Sequence, residues 1–337
     1  MPDRMTFICS FLDSVWPDQD YQLNPLSGDA SFRRYFRVFH QQRPYVLMDA
    51  PPTLEDGARF VAVQQALTAA GLRVPAIVAH YLANDLILLE DLGDCLLLSV
   101  LDDNSVMHWY QQALALLKPI RQVSATTQGA LPVFDRAFLL REMQLFIDWF
   151  CLVHLKLELS SDELTVLERC FALLADEALA QPQAGMHRDF HARNLMVLPD
   201  NQLAVIDFQD MVLGPVSYDA VSLLKDCYLR WPDAVVATLR DEFFATLQAS
   251  GELGPDWDNK RFARSFDWMG LQRHIKVCGI FARLYHRDNK AGYLPDLPRV
   301  LAYVMDTAAL YPEFAEFSLL LQQKIQPRFN EVSRCAP

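Results

Sequence analysis

The stretch that decides the reading is His187-Arg188-Asp189-Phe190-His191-Ala192-Arg193-Asn194-Leu195-Met196-Val197, continued by Pro199-Asp200-Asn201-Gln202 and Leu203-Ala204-Val205-Ile206-Asp207. Two short apolar runs joined by a Pro-Asp-Asn turn predict a tight pair of strands, a rigid mount for the polar groups at its ends. Asp189 and Asn194 satisfy H-R-D-x-x-x-x-N, and Asp207 follows 13 residues after the asparagine, where the second run ends. The residue types suit phosphoryl transfer. One carboxylate takes or orients the proton of the attacking hydroxyl, and a second holds magnesium against nucleotide phosphates. The asparagine oxygen ligates the same metal without adding a full charge. Taken singly, each residue has a plain alternative as a turn former or helix cap; their order and spacing carry the functional reading.

Working outward, the residues before this block are strand-rich and those around and after it helical. A short helix over the first fifteen residues ends at Pro17, and 26–31 reads as a turn. The runs 32–39 and 45–48 form a hairpin signal with Pro44 placed in the connection. A helix is predicted over 55–70, with Phe60, Val63 and Leu67 at three- and four-residue intervals and Gly71 as its stop. Two further strands, 74–79 and 86–89, lead into Glu90-Asp91-Leu92-Gly93. The domain boundary is placed there, giving residues 1–92 and 93–337. Helices are predicted over 106–118, 137–159, 162–178, 219–228, 234–248, 260–285 and 297–310.

Composition narrows the class. Of 337 residues 52% are hydrophobic and 21% charged, the balance of a folded globular protein. The net charge of −12, with no basic stripe, argues against a nucleic-acid partner. The apolar runs are broken by charges too often for a membrane span, and the first residues lack a signal-peptide layout. Seven scattered cysteines without a CxxC pair read as core residues of a reducing compartment. A cytoplasmic monomer is the expectation.

The segment 187–194, with Ile206-Asp207-Phe208-Gln209-Asp210, resembles the aminoglycoside phosphotransferase branch of the protein-kinase-like fold, which also includes choline and homoserine kinases. Further stretches are similar to the bacterial anomeric kinases of N-acetylmuramate and N-acetylglucosamine. They are Gly28-Asp29-Ala30-Ser31-Phe32-Arg33-Arg34-Tyr35-Phe36-Arg37, Tyr45-Val46-Leu47-Met48-Asp49-Ala50-Pro51-Pro52, Leu88-Leu89-Glu90-Asp91-Leu92-Gly93 and 207–215. The resemblance implies a bilobal α+β fold with a small, mainly antiparallel β-sheet N-lobe and a larger helical C-lobe. It implies ATP-dependent phosphorylation of the anomeric hydroxyl of these amino sugars to the α-1-phosphate, in peptidoglycan recycling.

Residue by residue, the resemblance makes Asp189 the catalytic base and Asn194 and Asp207 the Mg2+ ligands. Gly28, Asp29, Ala30, Ser31 and Arg33 fall at the nucleotide-covering turn, and Glu90 and Leu92 at the connector that would hold adenine through main-chain groups. His191, Arg193, Asp210 and Arg273 are the substrate-binding candidates, and Asp219 is the structural support. Two departures stand out. Gln209 replaces the glycine of the kinase D-F-G triplet. Met48 occupies the place of the phosphate-binding lysine, with Glu55 matching that lysine's usual glutamate partner. Arg33 and Arg37 would share one face of a strand and Arg34 the other, and the sequence leaves open which face meets nucleotide. It also leaves open another small-molecule kinase, for choline or an aminoglycoside, and a nucleotide-binding scaffold that has lost catalysis.

Overall fold

The computed structural model describes residues 4–18, 20–26, 33–50 and 56–335. In chain order the elements begin α1 (Arg4–Val15), β1 (Tyr21–Leu26), β2 (Arg34–His40), β3 (Arg43–Asp49), α2 (Gly57–Ala69), β4 (Ile77–Tyr81) and β5 (Leu86–Glu90). Next are α3 (Val106–Gln122), β6 (Ala125–Thr126), β7 (Gly129–Ala130), α4 (Arg136–Leu145), α5 (Ser161–Ala180), β8 (Gln183–Met186), β9 (Leu195–Val197), β10 (Leu203–Val205) and β11 (Val212–Pro215). The remainder is helical: α6 (Tyr218–Leu224), α7 (Asp233–Ala249), α8 (Asn259–Asp288), α9 (Leu297–Leu310), α10 (Ala315–Leu320) and α11 (Gln326–Cys335). Packing groups them into two compact units, Met1–Leu131 with Ala192–Met211, and Pro132–His191 with Val212–Pro337. This partition follows packing, whereas the boundary after Leu92 expected from the sequence is drawn where strands give way to helices.

The first unit is built on a five-stranded antiparallel sheet in the order β1-β2-β3-β5-β4. Gln41 and Gln42, both at positive φ (48° and 63°), form the two-residue turn that joins β2 to β3, a conformation matched to strand twist. Pro44, expected in this connection, instead lies in β3 opposite Phe39. The β5 pairing reaches only as far as Tyr45, so a missing N–H at residue 44 disrupts no further ladder. The strand β1, which the sequence does not announce, is an edge strand and tolerates Pro25 for the same reason.

Register assigns the faces. Phe36, Leu47 and Leu88 point to one side, where Ile8, Phe11 and Leu12 of α1 close a buried cluster. Tyr35, Met48 and Ile87 occupy the other. At the end of β3 the fully buried carboxylate of Asp49 accepts from Arg4 Nε (2.8 Å) and Arg34 Nε (2.9 Å), tying α1 to the sheet. The hairpin β9–β10 forms as the sequence predicts, with Leu203 opposite Val197. It is anchored within this unit by Val197 N–H to the Cys95 carbonyl (2.8 Å) and Val205 N–H to the Arg73 carbonyl (2.9 Å).

In the second unit β8 and β11 pair antiparallel, and the helices gather around α8, 30 residues long. Asp258 caps α8 by accepting from Arg261 N–H (2.7 Å), and Asn289 ends it in the left-handed region at φ 55°. The single helix expected over 137–159 is α4 followed by a π-helical stretch, Phe146–His154. At that junction Gly279 of α8 meets bare backbone. A Cβ there would collide with the Leu145 carbonyl and come within 2.6 Å of Phe146 N. Helix backbones cannot yield as side chains do, so Gly279→Ala is expected to cost about 3 kcal/mol, read as a fall in the denaturation midpoint. A neutral substitution would mean that the helices separate at little cost. Among the described residues no helix is long and apolar enough to cross a membrane.

Candidate active site

The chain passes from the second unit to the first between His191 and Ala192, within the decisive stretch. Each unit therefore carries part of the expected site.

Asp189 belongs to the second unit, just beyond β8. The preceding residue, Arg188, has a left-handed backbone (φ 78°), strained for a long side chain. Asp219, in the first turn of α6, holds it there: its carboxylate accepts from His187 N–H (2.7 Å) and Arg188 N–H (3.0 Å). Burial pushes the Asp219 carboxyl up, while the His187 and Arg188 donors pull the other way. The Arg188 side chain turns to Glu142 of α4 (2.8 Å), which also pairs with Lys276 of α8 (3.1 Å). Lys276 Nζ in turn donates to the Tyr218 hydroxyl (3.1 Å), and Glu142, Tyr218 and Lys276 are all buried.

This cationic surround sets the state of Asp189, itself half-buried. Burial pushes its carboxyl up, but the positive charges of Lys276, His191, Arg188 and Arg273 outweigh that and hold it at about 2. Asp189 is thus ionised throughout the physiological range. A carboxylate this weakly basic orients a hydroxyl and takes its proton late, which suits the loose transition state of phosphoryl transfer. Sequence spacing gave no hint of Lys276 or Glu142, since both lie far from the motif along the chain.

Of the substrate-binding candidates in this unit, His191 is buried, its ring edge-on to Tyr228 at 5.3 Å between centroids. Arg273 is only 2% exposed, inside the α8 packing. His274, one residue on, stacks on Tyr303 (4.4 Å) and bonds the Lys225 carbonyl through Nε2 (2.8 Å). Trp257 and Trp268 are buried, each with an arginine over its ring at 4.1 Å, so they serve packing.

The first unit holds Asn194 and Asp207 on the β9–β10 mount. Ile206 N–H bonds the Asn194 carbonyl (3.0 Å), fixing the two ends of the hairpin together. Asp207 is exposed and sits at φ 62°, a conformation that aspartate accepts more readily than most residues. Asn194 Nδ2 donates to Asp207 Oδ2 (3.4 Å), and Arg33 Nη1 lies 3.8 Å from Asp207 Oδ1. A half-turn of the Asn194 amide replaces its nitrogen with the oxygen that a cation takes. An exposed carboxylate with an amide oxygen beside it fits magnesium, which takes few protein ligands and fills its octahedron with phosphate oxygens and water. Among the described residues no three His, Cys, Asp or Glu side chains gather into a metal cage of protein alone.

Gln209, the departure from the D-F-G glycine, has a place in this geometry. Its Nε2 donates to Asp207 Oδ1 (3.0 Å) and, more distantly, to Asp210 Oδ2 (3.5 Å). Arg59 of α2 then clamps the segment by donating to the Gln209 carbonyl (2.8 Å) and the Met211 carbonyl (3.1 Å), and Phe60 packs on Phe208 at 4.9 Å. Nothing in the sequence around Arg59 marked it for this task. Asp210 is exposed and Arg193 half-exposed. Glu90, at the end of β5, donates its N–H to the Ala76 carbonyl (2.9 Å), and its side chain pairs with Arg73 (2.7 Å). Gly28, Asp29, Ala30, Ser31 and Glu55 lie outside the described residues.

An antiparallel sheet unit bearing an Asn–Asp pair on a hairpin, and a helical unit bearing an ionised aspartate in H-R-D, are the parts of a phosphotransferase. The chain belongs to the phosphotransferase enzyme family, whose model matches residues 22–262. It is 43% identical over 301 residues to an N-acetylmuramate/N-acetylglucosamine kinase of Pseudomonas aeruginosa, covering 89% of this chain and 88% of the relative. It is 38% identical to the Pseudomonas putida protein of the same name, covering 93% and 91%. Among solved structures it is similar to an ethanolamine kinase of Plasmodium vivax, with a TM-score of 0.63 at 12% identity over 94% of this chain and 92% of that one. At that identity the likeness speaks for the fold alone.

Proposed function

We propose that this protein transfers the γ-phosphoryl group of ATP to the anomeric hydroxyl of N-acetylmuramate and N-acetylglucosamine, giving the α-1-phosphate for peptidoglycan recycling. The observation that carries the acceptor assignment is the 43% identity to a kinase of that name over nine-tenths of both chains. The chemistry is carried independently by the ionised state of Asp189 and by the Asn194–Asp207 pair.

In this reading residues 1–92 form the nucleotide lobe with its connector, and residues 93–337 the catalytic and acceptor lobe. Gly28, Asp29, Ala30 and Ser31 are assigned to the nucleotide phosphates. The carbonyl of Glu90 and the N–H of Leu92 hold the adenine edge. Asn194 and Asp207 hold Mg2+, which neutralises charge on the phosphate oxygens. Gln209 and Arg59 keep the Asp207 carboxylate and its segment in place. Asp189 orients the sugar hydroxyl and receives its proton as the oxygen–phosphorus bond forms and ADP leaves. His191, Arg193, Asp210 and Arg273 serve the sugar, a cationic side chain answering the lactyl carboxylate of N-acetylmuramate. The protein acts as a cytoplasmic monomer.

The test is ADP release with magnesium and a panel of acceptors: the two amino sugars, choline, ethanolamine and an aminoglycoside. Release is expected only with the amino sugars. Turnover with choline, ethanolamine or the aminoglycoside instead would keep the chemistry and reject the acceptor. ATP binding without turnover on any acceptor would favour the scaffold reading.

A further inference from the structure

Protein kinases meet the nucleotide phosphates with a lysine on the third strand of the sheet. Here that strand carries Met48, buried and uncharged. A triphosphate with its metal still needs a cation, and three arginines, 33, 34 and 37, stand within reach of the same sheet region in sequence. We propose that Arg33 is the cation that meets the nucleotide phosphates in place of the lysine absent at Met48, a role that rests on the nucleotide reading given above and goes beyond it.

The register separates the three. Successive residues of β2 alternate between faces, and Tyr35 lies directly opposite Met48. Arg34 therefore points away from the Met48 face. It is bonded to Asp49 on the side where α1 packs, sharing that buried carboxylate with Arg4. Arg37 is on the Met48 face but belongs to another structure. It donates from Nε to Asp91 Oδ2 (2.6 Å) and from Nη2 to Asp94 Oδ1 (2.7 Å), and these two carboxylates hold its guanidinium at the connector.

Arg33 precedes β2 by one residue, at the end of the strand where Arg34 faces Asp49. Its side chain is 9% exposed and its guanidinium lies 3.8 Å from the Asp207 carboxylate, the group assigned to the metal. A cation beside the metal-binding aspartate is where the charge of a metal-bound triphosphate has to be answered. A guanidinium does so with a planar fork of donors, and it stays charged at every working pH. The contact to Asp207 aims it in advance.

The experiment is calorimetric titration of the full chain with AMP-PNP and magnesium, and separately with adenosine, for wild type, Arg33→Gln and Arg34→Gln. Adenosine lacks phosphates, so it reports whether the rest of the nucleotide site is intact. Arg33→Gln should weaken AMP-PNP by about tenfold or more while leaving adenosine within about twofold. Arg34→Gln should lower the melting temperature by loosening Asp49 and leave both ligands within about twofold. If Arg33→Gln binds AMP-PNP like wild type, or loses both ligands equally, the proposal is wrong. If wild type binds adenosine and AMP-PNP equally well, no cation meets the phosphates and the proposal fails while an adenine site stands. If wild type binds neither, the nucleotide reading fails and the proposal falls with it.

Discussion

Asp189→Asn is expected to lower kcat by about a thousandfold while leaving nucleotide affinity within about twofold. The substitution keeps the size and planarity of the side chain, but an amide accepts no proton and carries no charge. Its neighbours make the loss larger than isosterism suggests. Lys276, Arg188 and Arg273 stand around the carboxylate, and removing its charge leaves them without it. The same electrostatics gives a stability effect with a definite sign. The folded protein holds the Asp189 carboxyl at about 2, below its ordinary 3.8. The carboxylate therefore contributes stability in full above about pH 4, and that contribution fades as pH falls through about 2. Asp189→Asn should accordingly melt below wild type at neutral pH, and the gap should narrow below pH 4. Steady-state kinetics and melting curves check both halves. Near-normal turnover would remove Asp189 from the proton-accepting role.

Asp219→Ala is expected to be nearly as damaging by a different route. Asp219 touches no reacting group in this account. Its two oxygens satisfy the buried N–H groups of His187 and Arg188 and hold Arg188 at φ 78°. Alanine leaves both donors unpaired, at about 1–3 kcal/mol each, and frees a strained backbone to relax. Asp189 is the next residue, so relaxation moves the carboxylate away from its cations. A loss of about 4 kcal/mol in stability and about a hundredfold in kcat follows. Asp219→Asn, which keeps one acceptor oxygen, should fall between the two. A positioning role predicts that the acid shoulder of Asp189 moves upward with these variants, because the carboxylate leaves the charges that depress it. A loss of stability with kcat and the pH profile unchanged would make Asp219 a mere brace of the fold.

Asp189 and Asp219 differ in how far the sequence alone announces them. Asp189, Asn194 and Asp207 are legible as candidates because phosphoryl transfer demands particular residue types in a set order, and a tight hairpin fixes the spacing of Asn194 and Asp207 along the chain. Asp219 could be placed through the resemblance, although its two backbone bonds could not. Lys276, Glu142 and Arg59 were invisible for one physical reason. They act through contacts between residues dozens to more than a hundred positions apart, and nothing local in α8, α4 or α2 distinguishes a buried ion pair from a solvated charge. The π-helical stretch after α4 was hidden too, because Phe146–His154 has the apolar content of an ordinary helix. Of the five strands in the sheet, four are announced by the sequence. The short Tyr21–Leu26 strand escaped because Asn24 and Pro25 carry the signature of a turn, and only its edge position makes them acceptable.

The departures from the kinase pattern also acquire meaning only in three dimensions. Gln209 reads as a loss of a flexible glycine, yet its side chain bonds the Asp207 carboxylate directly. Met48 reads as a loss of charge, yet Arg33 stands beside that same carboxylate. Both changes converge on Asp207.

The central claim is that the acceptor is the anomeric oxygen of an amino sugar, and phosphorus NMR of the reaction tests it most directly. Incubated with ATP, magnesium and N-acetylmuramate, the protein should give a sugar 1-phosphate resonance coupled to the anomeric proton, growing in step with ADP. N-acetylglucosamine should give the corresponding signal. Phosphate on any other hydroxyl, or ADP accompanied by inorganic phosphate alone, would contradict the account.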